Sequence, residues 1–209
     1  PGRGREPETG ALARSLAVDV ERPLVIDADG LFALGGALES LRDRRAPTVL
    51  TPHPGEAARL LDSESAAVNG DRLGAARQLA ERSGSVVVLK GAGTVVAEAS
   101  GRALVISTGG PLLATGGTGD VLTGVVAALL GSGLPAFEAA GLAAWWHGAA
   151  ADRRTAERGI AFGLLASELA DALPATAAAL GPGIAGQGIA GSQQDGGGHA
   201  GLAMRFPGP

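Results

Sequence analysis

Apolar positions recur at helical spacing over residues 9–20, where Leu12, Leu16 and Val20 share one face, and this predicts a helix. A short apolar run that ends in acid, Pro23 through Asp27, predicts a buried strand. Residues 31–45 are helical in spacing. Residues 47–51 predict a second strand, stopped by Pro52 and Pro54. Helices are predicted over 56–61 and 71–82. Residues 85–90 are apolar and β-branched and predict a third strand. A hairpin is predicted from 94–97 and 103–107, then helices over 118–130, 135–151 and 160–173. Continuous apolar strands between helices predict an α/β fold, with a mostly parallel sheet covered on both faces. The pattern stops near residue 180. Residues 181–209 are Gly-rich, include Gln193, Gln194 and three glycines from Gly196, and predict a disordered tail after a domain over 1–180.

The chain of 209 residues is long enough for one such domain. Its net charge of −4 shows no basic excess, which argues against a nucleic-acid partner. Cysteine is absent, which excludes disulfides, thiolate metal sites and a cysteine nucleophile. No apolar run reaches the ~18 residues of a membrane span, and no secretory signal pattern opens the chain. The 35 glycines far exceed the usual ~7%. The basic residues are arginines except for Lys90.

Ligands of parallel α/β sheets bind where strands end and helices begin. Three unusual clusters fall at such places: Asp27-Ala28-Asp29-Gly30, Thr51 through Glu56, and Gly116-Gly117-Thr118-Gly119-Asp120. In the third, glycines at a helix start let backbone N–H groups approach an anion, and the helix dipole favours phosphate. Asp120 adds a negative charge there. That suits a base that takes a proton from a hydroxyl attacking phosphorus; it also suits an ordinary acid in a first helical turn. No Lys-Ser/Thr pair follows the glycines, so this is not a Walker loop. Lys90 precedes Gly91-Ala92-Gly93-Thr94, readable as a ligand-approach loop or as a hairpin turn with a solvated lysine. A lone His53 between prolines is more often structural than functional, and His147 is read as core packing or a local polar contact. Asp27 and Asp29 alternate along a strand end and so do not form a close carboxylate pair.

Four stretches, 25–31 (VIDADGL), 48–61 (TVLTPHPGEAARLL), 86–97 (VVVLKGAGTVVA) and 113–130 (LATGGTGDVLTGVVAALL), together resemble the NAD(P)H-hydrate dehydratase family of the ribokinase-like superfamily. TPHPGE with GTGD carries the specificity; GTGD alone marks the wider superfamily. The resemblance runs from about residue 1 to about residue 173. It implies a three-layer α/β/α ribokinase-like fold. Pro1 through Gly4 resemble the end of the family's GPG-x-G turn, so the chain is expected to be the C-terminal part of the catalytic domain, with N-terminal elements missing. The family repairs hydrated NADH or NADPH. A nucleotide, ADP or ATP, phosphorylates the ring hydroxyl, and phosphate then leaves.

By resemblance, Asp120 activates the hydroxyl, and backbone groups of Gly117, Thr118 and Gly119 stabilise the transferring phosphoryl group. Lys90, Gly91, Ala92, Gly93, Thr94 and Gly119 contact the nucleotide. Gly4, His53 and Asp120 contact the hydrated dinucleotide. Glu56 sits where related kinases hold Mg2+ through water. Phe32 stands where many members have asparagine. The resemblance further implies a cytoplasmic enzyme without a membrane partner, and it accommodates a homo-oligomer and a fusion to an N-terminal epimerase domain. Two other readings compete: a ribokinase-like kinase of a vitamin-precursor alcohol of the hydroxymethylpyrimidine or thiazole type, and an inactive nucleotide-binding fragment.

Overall fold

A computed structural model describes residues 6–179. The expected tail and Gly4 lie outside the described residues. In chain order the elements are α1 (Pro7–Asp19), β1 (Leu24–Ile26), α2 (Asp29–Ala33), a 3₁₀ turn (Leu38–Asp43), β2 (Thr48–Leu50), α3 (Pro54–Leu60), α4 (Ser65–Gly70), α5 (Arg72–Ser83), β3 (Val86–Leu89), β4 (Val95–Ala97), β5 (Ala103–Val105), a second 3₁₀ turn (Pro111–Leu113), α6 (Thr118–Gly131), α7 (Ala136–Arg158) and α8 (Ala166–Ala179).

The sheet runs β1-β2-β3-β4-β5. β1, β2 and β3 are parallel, with Val25 opposite Val49 and Val49 opposite Val86. β4 and β5 return antiparallel as the expected hairpin, so the sheet is mixed. β2, β3 and β4 are buried along their whole length, which explains why they read as unbroken apolar runs. Alternate residues of β3 serve opposite faces. Val87 and Leu89 join the core beneath α1–α5, where Leu31, Leu34, Leu41, Leu50 and Leu79 meet. α7 covers β2, β3 and β4, and α6 covers β1. A second cluster, of Leu112, Ala150, Ala151, Leu164 and Leu169, ties α7 to α8.

Several expectations are corrected. The helix predicted over 31–45 is two pieces, because Gly36 adopts φ +77° and ends α2 before the 3₁₀ turn begins. The last helix is not 160–173 but starts at Ala166 and continues past Pro174. Gly159 and Gly163 take φ of +64° and +86° and hold 160–165 out of the helix. On either side of the proline α8 is tied to α7: Trp146 Nε1 donates to the Leu173 carbonyl, and Arg153 donates to that of Ala175 (both 2.9 Å). α1 forms as predicted, but Leu12 and Leu16 are exposed and Ala17 alone of its residues is buried. α4 was not predicted, and α7 continues seven residues beyond the expected end.

The parallel strands send their C-terminal ends to one edge of the sheet. Asp27, Thr51 and Lys90 follow β1, β2 and β3 there. The ladder reaches into these loops: Thr51 N–H donates to the Ile26 carbonyl at 3.1 Å and Lys90 N–H to the Pro52 carbonyl at 2.8 Å.

Candidate active site

α6 begins above this edge. Its N-cap, Gly117, takes φ +88°, a conformation that side chains disfavour. The Thr118 hydroxyl lies 2.8 Å from both the Leu113 and Thr115 carbonyls and fastens the preceding loop. Thr118 N–H is directed at the Thr115 carbonyl at 3.3 Å. Among the described residues, the N–H groups of Gly117 and Gly119 have no backbone acceptor. These two donors sit at the positive end of a 14-residue helix, the geometry that an anion cradle requires. Asp120 follows. It is exposed, and among the described residues no group donates to its carboxylate.

Lys90 lies directly under this helix start. A Cβ built on Gly119 would be 3.4 Å from Lys90 Nζ and 3.8 Å from Asp27 Oδ2. Only glycine leaves the space between cradle and ammonium open. Asp27 is buried and accepts from Lys90 Nζ at 2.8 Å, from Ala28 N–H at 2.9 Å and from the Thr123 hydroxyl at 2.9 Å. Residues 90–94 do make the turn between antiparallel β3 and β4, but the lysine is not solvated: its ammonium is held by Asp27. Arg72 steadies the β3 end, donating to the Leu89 and Lys90 carbonyls at 2.9 and 3.1 Å. A side chain at Gly91, which has φ +136°, would press on that guanidinium at 3.0 Å.

These groups open into a cavity of about 470 Å³ lined by residues 90–94, 108–111, Gly119 and His147. That volume suits a drug-sized or nucleotide-sized ligand. The wall at 108–111 was not recognised in the sequence. It is fixed to α7: the Thr108 hydroxyl donates to the Trp145 carbonyl at 2.8 Å and Gly109 N–H to Asp152 Oδ2 at 2.8 Å. Two glycines before the cradle, Gly109 and Gly110, were the available signal.

His147 is buried, with Nε2 2.8 Å from the Thr118 carbonyl. A carbonyl oxygen only accepts, so Nε2 carries the proton. Burial pushes the imidazole below the ordinary histidine range. The hydrogen bond to Thr118 opposes this and is outweighed, while the Lys90 ammonium adds to the depression. In the unfolded chain the imidazole titrates near ~6.5. Above that pH neither state binds the proton. Below it the unfolded state gains a proton that the folded state refuses, so folding stability falls as pH falls. The melting temperature should therefore drop from about pH 7.5 to about pH 5.5, and His147→Gln should flatten part of that slope. Equal slopes in the two proteins would remove His147 as the source.

His53 and Glu56 sit apart from this cavity, in a hollow of about 170 Å³ shared with Ala28, Phe32 and Arg59. They form a reciprocal cap on α3. His53 Nδ1 accepts from Gly55 N–H at 3.0 Å and Glu56 N–H at 3.3 Å, and Glu56 Oε2 accepts from His53 N–H at 2.8 Å. The imidazole edge remains exposed. Phe32 lies under the Arg59 guanidinium, 3.3 Å from its ring centroid. Ala28 lines the hollow, and its neighbour Asp27 bonds Lys90 of the cavity wall. Ala28 carries φ +48°, an uncommon value for a non-glycine residue.

Among the described residues no group of three His, Cys, Asp or Glu side chains is placed to hold a metal ion. Glu56 already spends one oxygen on its cap. This donor set fits an ion that arrives on phosphates and keeps its waters, the habit of magnesium, and does not fit a resident metal cage. No helix among the described residues is long and apolar enough to cross a membrane.

The sheet order and the glycine cradle on α6 define a ribokinase-like α/β protein. A family model described as NAD(P)H-hydrate dehydratase matches residues 1–175, and the chain belongs to that family. It is 45% identical over 174 residues to a bifunctional NAD(P)H-hydrate repair enzyme of Moorella thermoacetica, covering 83% of this chain and 33% of that one. It is 46% identical over 173 residues to the ADP-dependent (S)-NAD(P)H-hydrate dehydratase of Neisseria meningitidis, covering 82% of this chain and 58% of that one. The Bacillus subtilis ADP/ATP-dependent NAD(P)H-hydrate dehydratase, co-crystallized with ATP/Mg2+, superposes with a TM-score of 0.77 at 32% identity, covering 86% of this chain and 62% of that one. The chain thus spans from one third to under two thirds of these relatives' lengths.

Proposed function

We propose that this chain carries the nucleotide site and the catalytic aspartate of an ADP- or ATP-dependent NAD(P)H-hydrate dehydratase. The observation that supports it best is the stacking of Gly119 and the α6 cradle over Lys90, beside a nucleotide-sized cavity. The nucleotide occupies the cavity, its base and ribose along residues 90–94 and its terminal phosphate under Gly117 and Gly119. Hydrated NADH or NADPH approaches from the His53 side. Its ring hydroxyl attacks the terminal phosphorus, Asp120 takes the hydroxyl proton, and the bond to the nucleotide's leaving oxygen breaks. The cradle N–H groups and Lys90 stabilise the charge on the transferring group. The ring nitrogen's lone pair then expels phosphate, and loss of a proton from the adjacent carbon restores the dihydropyridine. Magnesium brought in with the nucleotide would add charge neutralisation, and Glu56 would hold it through water.

The bifunctional relatives support a companion domain, read as an epimerase, in the full-length protein. Product analysis tests the reaction. Full-length protein incubated with hydrated NADH, ADP or ATP, and magnesium should release free phosphate and NADH. A stable phosphate ester would instead indicate a kinase of a precursor alcohol. The nucleotide placement is tested separately by Gly119→Val. The added methyl groups fill the gap of 3.4 Å toward Lys90, so calorimetric titration should show adenine-nucleotide affinity reduced at least ~10-fold, equivalent to ~1.4 kcal/mol. Unchanged affinity would move the phosphate elsewhere.

A further inference from the structure

Among the described residues Asp27 is the one buried carboxylate, and the reaction as derived above gives it no task. Its surroundings suggest one. Both oxygens are engaged, and the three donors come from three different elements: the β3 end through Lys90, the β1–α2 turn through Ala28, and the first turns of α6 through Thr123. Thr123 lies three residues after Asp120, so it is on the same side of α6 one turn further along. Asp27 Oδ2 and Lys90 Nζ both lie within 4 Å of the position a Gly119 Cβ would take. One carboxylate therefore touches the ammonium and the helix turn that carry the proposed phosphoryl-transfer groups.

We propose that Asp27 is a positioning residue for phosphoryl transfer: it aims the Lys90 ammonium at the phosphate beneath α6 and, through Thr123, fixes the turn that presents Asp120. This rests on the dehydratase reading of the site. The physical case is as follows. A lysine side chain is a flexible stem with three donors. One donor goes to Asp27. The side chain is 20% exposed at the cavity, so the remaining donors are available to a phosphate oxygen. Pairing with Asp27 also offsets Lys90's charge, so the pair adds little to ground-state attraction for the nucleotide. Its contribution falls on the transferring group, whose position relative to Lys90 and Asp120 is set by Asp27. A displacement of about 1 Å in such an arrangement costs on the order of 10²-fold in rate.

The test uses the full-length protein with Asp27→Asn, Lys90→Met and the double variant. Asp27→Asn should lower kcat by ~10–100-fold with the KM for ADP within about 3-fold of wild type, and in the Lys90→Met background, where only the Thr123 route remains, the same change should cost less than it does in the wild type. Multiplying losses, or a loss confined to KM, would overturn the proposal. Thr123 supplies a second arm if Asp27→Asn fails to fold. Thr123→Val should lower kcat at constant KM and Thr123→Ser should restore it; a wild-type kcat in the valine variant overturns the proposal. A third arm needs no turnover, which separates this inference from the assigned reaction. With ¹³Cε-labelled lysine, the Lys90 signal is assigned by its loss in Lys90→Arg. Saturating ADP should shift it in the wild type, and the shift should disappear in Asp27→Asn or Thr123→Val. A shift of equal size in wild type and variants, or none in the wild type, overturns the positioning role. Absent turnover with an Asp27-dependent shift would overturn only the dehydratase reading.

Discussion

Asp120→Asn in the full-length protein should lower turnover of hydrated NADH by ~10²–10⁴-fold, the range for losing a positioned acid–base group. Fold and nucleotide binding should survive. The carboxylate is exposed and has no donor among the described residues, so the amide breaks no hydrogen bond or ion pair. The stability cost is the loss of a negative charge in the first turn of α6, about 0.3–1 kcal/mol at an exposed helix start. A 10²-fold rate loss corresponds to ~2.7 kcal/mol of transition-state stabilisation. The two effects differ enough to be separated. Removing a negative charge beside the cradle should also leave ADP binding equal or tighter. The measurements are NADH absorbance recovery, calorimetric titration with ADP, and circular dichroism. Turnover within a few-fold of wild type would leave the α6 start as a phosphate cradle without a base.

The strands were legible because burial on both faces removes the polar alternation that would blur them; β2 and β3 stand within a residue or so of their predicted limits. The helices were less so. The Gly35-Gly36 pair sits inside an otherwise periodic stretch, and a periodicity count runs straight through it. The start of α8 was displaced because Ile160, Phe162 and Leu165 are apolar and were counted into the helix, whereas all three are exposed. Apolar spacing records what a segment can bury, not what it meets.

At the site, local chemistry was readable and pairing was not. The α6 glycines, Asp120 and the Lys90 loop stand out in sequence because each is an unusual residue at an element boundary. The bond between Lys90 and Asp27 joins residues 63 positions apart, and Thr123 to Asp27 joins residues 96 apart. No spacing rule reports such contacts. His53 also concealed its local role. Caps are usually Ser, Thr, Asp or Asn, so an imidazole at the N-cap of α3, with Glu56 answering three residues later, did not read as a capping box.

Gly148→Ala should destabilise the protein, against the ordinary preference for alanine in helices. α7 is a 23-residue helix and Gly148 is within it, so helix propensity alone predicts a gain of up to about 1 kcal/mol. Packing opposes it. A Cβ at Gly148 would lie 2.6 Å from the Thr108 carbonyl carbon and 2.7 Å from its oxygen, and would collide with the Thr108 hydroxyl. These are backbone atoms that cannot swing aside, and the segment is tied down on both sides by the Thr108–Trp145 and Gly109–Asp152 bonds. Overpacking of this kind costs about 1–3 kcal/mol or more, so the clash outweighs the propensity. At roughly 2–4 °C per kcal/mol for a domain of this size, the melting temperature should fall by several degrees. Gly124→Ala is the control. It lies within α6, is exposed, and its Cβ would meet nothing within 4 Å, so it should gain ~0.5–1 kcal/mol. The two substitutions are chemically identical and differ only in what stands opposite. Because residues 108–111 wall the cavity, Gly148→Ala should also weaken ADP binding, while Gly124→Ala should leave it unchanged. Equal stabilisation by both alanines would mean that α7 and the Thr108 segment are not held in contact.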